Sequence, residues 1–323
     1  MGALEFAPAL EPRARDSHAI QVAELIELAS EILSQRGDLT ASFASPEREQ
    51  ALRDILQVGT SAGGARAKAL IAWNPATNEV RSGQIDVGAG FDYWLLKFDG
   101  VTGNKDKELE DPSGYGVIEY AYSQMGRAAG ITMSPTHLLD DHGRRHFMTQ
   151  RFDRLPGGGK LHMQSLAGLC HYDFNLAGVY SYEQAMMAMR QLHLPMAQIE
   201  ELFRRMTFNI VARNQEDHVK NIAFLMDKAG TWSLAPAFDM TWSYHSQGQW
   251  TSAHQMSLNG KLDGFMREDF DTCAKAVSMK RGRSKAILEE VTQAVSKWRD
   301  FADEAGVDIT HRDRIQNSLR LDI

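Results

Sequence analysis

The stretch Arg213-Asn-Gln-Glu-Asp-His-Val-Lys-Asn221, taken with Leu234-Ala-Pro-Ala-Phe-Asp239, decides how this chain is to be understood. Two acids, a His, a Lys and two Asn follow the apolar run Met206-Thr-Phe-Asn-Ile-Val211, so a polar cluster stands at the end of a buried element. Binding and catalytic groups concentrate at such places. Glu216 precedes Asn221 by five positions, and Asp239 follows Asn221 by eighteen, across a short apolar segment and a turn. Phosphoryl transfer from ATP needs this set: a carboxylate for the acceptor hydroxyl and two oxygen ligands for Mg²⁺ on the phosphates. Protein kinases space their catalytic-loop Asp and metal-binding Asn by the same five positions. A loop whose Asn and Asp serve only as turns and caps explains any one of these residues equally well.

The composition is that of an ordinary globular protein: 323 residues, 43% apolar and 24% charged, enough chain for one sizeable core or two lobes. No uninterrupted apolar run reaches transmembrane length and the start lacks a signal-peptide layout, so no membrane association is expected. Cys170 and Cys273 form no framework and no metal spacing, which fits a reducing cytoplasm. A net charge of −7 argues against direct DNA binding by this chain, and any link to DNA is expected through a partner.

Helical spacing covers Ala19–Leu33, ended by Gly37, and a second helix is expected from Ser45-Pro46 to Leu56. Next comes Val58-Gly-Thr-Ser-Ala-Gly-Gly-Ala-Arg-Ala-Lys-Ala-Leu-Ile71. Its Gly63 and Gly64, with Thr60 and Ser61, make a loop whose backbone N–H groups can approach phosphate, although a plain turn has the same composition. Strands are expected over Glu79–Ile85 and Phe91–Phe98. Lys97 interrupts the second, apolar run, which is costly unless its ammonium reaches water or an anion; it is the candidate phosphate-binding lysine. Val117–Ala129 reads as a helix ended by Gly130, and a hairpin follows with strands around Ser134–Leu139 and His146–Gln150. From Ser165 onward helices are expected over Ser181–Leu192, Met196–Val211, Glu268–Val277, Arg283–Ala305 and near Thr310–Leu319. Strands followed by helices give an α+β class, with a strand-rich segment 1–155 and an all-helical segment 156–323.

"NQEDHVKN" and "LAPAFDM" closely resemble the D-[DG]-H-x-K-N and P-x-[FY]-D motifs of the HipA family, bacterial serine/threonine kinases that act as toxins. The glycine loop resembles that family's phosphate loop, and Gln150-Arg-Phe-Asp-Arg154 resembles its E-R-F-D-R segment between the lobes, with Gln150 in place of Glu. The resemblance implies a bilobal protein-kinase-like fold that uses ATP and Mg²⁺. It implies Asn221 and Asp239 as metal ligands and Glu216, Asp217, His218 and Lys220 as the catalytic segment. Thr60, Ser61, Gly63, Gly64, Lys68, Lys97, Gln150, Phe152 and Asp153 would form the ATP-binding set, and Ser61 would be autophosphorylated. Implied partners are a protein substrate, such as an aminoacyl-tRNA synthetase of the translation machinery, and a helix-turn-helix DNA-binding antitoxin.

Two departures stand out. Counting back from Asn221, the family's catalytic Asp falls on Glu216, and Asp217 on the variable position beside it. Glu moves the carboxylate by about one bond, and a displacement of ~1 Å can cost on the order of 100-fold when catalysis rests on positioning. "GALEF" at the start resembles the segment that follows a small N-terminal subdomain, so that subdomain is expected to be absent, removed, or supplied by a separate small protein. Besides a kinase toxin, an ATP-binding module with impaired transfer and a small-molecule kinase share the acid–Asn–Asp logic.

Overall fold

The computed structural model describes residues 2–4, 22, 68–83, 87–99, 114–141, 143–155 and 159–323. The chain divides into two compact units: Glu5–Val117 with Pro135–Gly159, and Met1–Leu4 with Ile118–Ser134 and Lys160–Ile323. Apart from Val22, which is helical, the two helices expected before residue 57 lie outside the described residues.

The first unit carries a five-stranded antiparallel sheet of β1 (Lys68–Asn74), β2 (Glu79–Ser82), β3 (Asp92–Lys97), β4 (Thr136–Asp141) and β5 (Arg144–Gln150), in the order β2-β1-β3-β5-β4. Successive residues Ile71, Ala72 and Trp73 are all buried, which is why this strand reads as a continuous apolar run instead of an alternating one. The β1–β2 turn is set by Asn74, whose side-chain oxygen accepts from Ala76 N at 3.0 Å. It is completed by Asn78 in the left-handed region at φ 57°, whose side chain accepts from Trp73 Nε1 at 3.0 Å.

The second unit is helix-rich. Helix α1 (Tyr115–Ala128) ends where expected, at Gly130 with φ 80°, and from Ile118 onward it groups with the C-terminal residues. There follow α2 (Leu166–Cys170), α3 (Tyr182–Gln191), α4 (Met196–Val211), α5 (Arg267–Ala276), α6 (Arg283–Val295), α7 (Trp298–Ala305) and α8 (Ile309–Gln316). Ser181 caps α3 in a capping box with Gln184. Along α4, Ile199, Leu202, Phe203, Met206 and Ile210 are buried, so the helix is anchored along its length.

Two expectations are corrected here. The segment after residue 155 is helix-rich, not all-helical, because β6 (His162–Ser165), β7 (Ala223–Met226) and β8 (Trp232–Leu234) form a three-stranded antiparallel sheet. Strands of three or four residues complete at most two alternations, too few for periodicity to show. The expected single helix Arg283–Ala305 is two helices. The break at Ser296–Lys297 lets Trp298 bury completely beside Tyr122, at 5.0 Å between rings, and donate Nε1–H to Arg312 O at 2.9 Å.

Candidate active site

Helix α4 delivers the polar segment. Beyond its end Arg213 adopts φ 57°, which turns the chain, and Asn214 N returns to Asn209 O at 2.9 Å. The turned segment is pinned to Ser243: Gln215 N donates to Ser243 O at 3.2 Å and Ser243 N to Arg213 O at 3.0 Å. Glu216, half-buried, comes next. Its carbonyl accepts from Asn221 Nδ2 at 3.0 Å, and Asn221 N donates to His218 O at 2.9 Å, so residues 216–221 close into a compact loop. With its NH₂ engaged, the Asn221 side chain offers Oδ1 as the atom for a cation.

Asp239 reaches the same place from the other motif. Arg205 Nη1 donates to Ala235 O at 2.9 Å, Gln198 Oε1 accepts from Leu234 N at 2.7 Å, and Ala237 N donates to Thr132 O at 2.8 Å. These bonds fix the approach to Asp239, which stands in the left-handed region at φ 56°. A non-glycine residue there costs conformational energy, and such outliers cluster at functional sites. Asn221 and Asp239 line one cavity of about 20 Å³, space for a water or two, together with Asn209, Asn214, Asp217 and His218. Two hard oxygen donors on one small cavity suit Mg²⁺, which takes one or two carboxylate or amide ligands and completes its shell with phosphate and water.

The two acids of the loop differ in surroundings. Asp217 is only 4% exposed, and both its oxygens are taken: Tyr182 Oη donates to Oδ2 at 2.6 Å, His254 Nδ1 lies 2.8 Å from Oδ2, and Gln255 N donates to Oδ1 at 2.8 Å. Burial by itself raises the Asp217 pKa; the His254, Tyr182 and Gln255 contacts outweigh it and hold the carboxyl below the usual range. Asn209 Nδ2 donates to Tyr182 Oη at 3.0 Å and Asn214 Nδ2 to Asn209 Oδ1 at 2.9 Å, so the network runs back to α4. Asp217 thus anchors the loop. His218 is pushed below its usual pKa by burial, against a smaller opposing effect of Asp239. The Lys220 ammonium sits 3.2 Å from the centre of the Phe174 ring, and Phe174 meets His218 edge-on at 6.1 Å.

Sequence reasoning missed Tyr182, Phe174, Arg205 and His254. His254 stands 37 residues from Asp217. It belongs to no spaced motif, so no local signal marks it.

In the first unit Lys68 and Lys97 are direct cross-strand partners on β1 and β3, 8% and 6% exposed. Directly opposite residues of an antiparallel pair share a face, and the Lys97 ammonium lies 5.7 Å from the centre of the Phe147 ring. Gln150 ends β5 opposite Trp94, and Arg151 N donates to Tyr93 O at 2.8 Å. The Asp153 carboxylate, 1% exposed, is paired with Arg151 and, at 3.1 Å, with Arg154. It braces the turn that follows the strand, and half-buried Phe152 lies within that turn. Thr60, Ser61, Gly63 and Gly64 lie outside the described residues.

A family model for the HipA-like C-terminal domain matches residues 60–298. The chain belongs to the HipA family. Among proteins of curated function, none matches the sequence. Among solved structures, a protein chain of the Shewanella oneidensis MR-1 toxin–antitoxin complex of HipA, HipB and operator DNA is similar, with a TM-score of 0.64 at 15% identity over 96% of this chain and 72% of that one. The Helicobacter pylori proinflammatory kinase CtkA aligns at a TM-score of 0.44 and 11% identity, over 70% of this chain and 84% of that one. The fold of the Shewanella chain is thus shared at 15% identity.

Proposed function

We propose that this chain is a HipA-type serine/threonine protein kinase that transfers phosphate from Mg-ATP to a protein serine and to its own Ser61. The observation that carries this reading is the closed loop in which Asn221 is bonded to Glu216 while Asn221 and Asp239 line one cavity. In this reading Glu216 accepts the proton of the acceptor hydroxyl, the half-buried acid of the loop serving where Asp217 is fully engaged. Asn221 and Asp239 would hold Mg²⁺, which neutralises phosphate charge when bound. Lys68 and Lys97 take up phosphate oxygens, and Lys220 and His218 brace the loop through Phe174. Two free cysteines fit a cytoplasmic setting.

The Shewanella HipA occurs with HipB and operator DNA. By analogy, this chain is assigned a helix-turn-helix antitoxin as its route to DNA, and a component of translation such as an aminoacyl-tRNA synthetase as its target. Intact mass after incubation with Mg-ATP tests the core of the proposal. An added phosphate is expected; nucleotide binding without any phosphate gained would leave an ATP-binding module crippled at Glu216, and turnover of a metabolite alone would make it a small-molecule kinase.

A further inference from the structure

The loop anchored by Asp217 is tied to the C-terminal end of the chain. Arg320 Nη1 lies 3.1 Å from His254 Nε2, and the guanidinium also binds Asp263. An arginine can only donate, so Nε2 must accept and carries no proton. The proton of His254 therefore sits on Nδ1 and points at Asp217 Oδ2, 2.8 Å away. The Arg320 backbone N donates to Val211 O at 2.9 Å, the last residue of α4. Two residues earlier, Ser318 O accepts from Arg213 Nε at 2.8 Å and Ser318 Oγ from Trp242 Nε1 at 3.0 Å. The chain entering the loop, through Val211 and Arg213, and the segment it is pinned to, through Trp242, are thus both tied to Ser318–Arg320, which lies beyond the residues matched by the family model.

We propose that Ser318–Arg320 is a positioning element for the loop Asn214–Asn221, with Arg320 imposing the His254 tautomer that holds Asp217 and, through it, sets Glu216 and Asn221. None of these three residues faces the cavity that Asn221 and Asp239 line. They act through His254, Asp217 and the end of α4. The effect on turnover rests on the kinase reading; the effect on the loop does not.

The test uses the full chain and three readouts. Two-bond ¹H–¹⁵N spectra of the wild type, with the ring assigned through His254→Asn, should show His254 protonated on Nδ1 and bare on Nε2; the opposite tautomer overturns the proposal. Arg320→Met should speed hydrogen exchange of the peptide covering 214–221 by about tenfold or more, while exchange in the β1–β3 ladder stays unchanged, and Arg320→Lys should restore much of the protection. Uniform loss of protection throughout the second unit, or none at all, counts against it. In the same variant kcat for phosphate transfer should fall about tenfold with KM for ATP within about twofold, since positioning and not binding is lost. Should wild type transfer no phosphate, the kinase reading fails while exchange and tautomer still decide this one. Should Arg320→Met not fold, Asp263→Asn releases the far side of the guanidinium, and unchanged exchange at 214–221 in that variant also refutes the proposal.

Discussion

Tyr182 Oη donates to Asp217 Oδ2 at 2.6 Å inside the second unit, joining the first residue of α3 to the acid of the loop 35 residues later. A buried carboxylate that accepts from Tyr182, His254 and Gln255 N is costly to replace. Asp217→Asn turns an NH₂ toward groups that are themselves donors, and unfolding free energy should drop by about 3 kcal/mol. Urea unfolding measures it, and a loss within error of zero removes the anchor assigned to Asp217.

The same carboxyl gives a pH dependence of known sign. Its folded pKa is depressed below the unfolded one, so it contributes stability above the unfolded value and loses it as pH falls through the folded value. Wild type should therefore lose stability on acidification from about pH 4 downward, and Asp217→Asn should show a shallower slope over that window. Parallel curves for the two proteins would contradict the assignment.

Lys97→Met and Asp239→Asn address the nucleotide. Under the proposed function, removing the Lys97 ammonium from phosphate, or the Asp239 charge from Mg²⁺, should each weaken Mg-ATP binding by about tenfold or more. Asp239→Asn should also lose the Mg²⁺ dependence of binding, whereas Lys97→Met should keep it. Calorimetric titration with and without Mg²⁺ separates the two, and unchanged affinity in either variant sinks its role.

Glu216→Asp should raise the transfer rate by roughly one to two orders of magnitude under the proposed function, in which the base position is that of the family's shorter Asp and misplacement by a bond is costly. Single-turnover rates with Glu216→Gln as the inactive control decide it. A slower Glu216→Asp, or an active Glu216→Gln, shifts the base to another residue.

Ser61→Ala should gain no phosphate on the protein yet still bind ATP, and phosphorylated wild type should bind ATP more weakly. In the proposed role of Ser61, a phosphoserine adds roughly two negative charges to a loop assigned to the nucleotide phosphates, and like charges repel. Peptide mapping that finds the phosphate elsewhere, or equal ATP affinity of both forms, would remove this mechanism.

The sequence by itself determined the element types wherever periodicity had room. The 16 residues of α4 and the 14 of α1 were legible from apolar spacing, and Gly130 marked where the latter stops. So was the order of acid, amide and acid, because Glu216, Asn221 and Asp239 are close enough in the chain for spacing to carry chemistry. Only the tertiary structure decided which acid of the loop is spent on the fold. Glu216 and Asp217 are adjacent and chemically alike, and the difference comes from Tyr182, His254 and Gln255, brought in from distant parts of the chain to surround one of them. Strand register likewise set Lys68 opposite Lys97, 29 residues apart, a pairing no local pattern encodes because it depends on how β1 and β3 align.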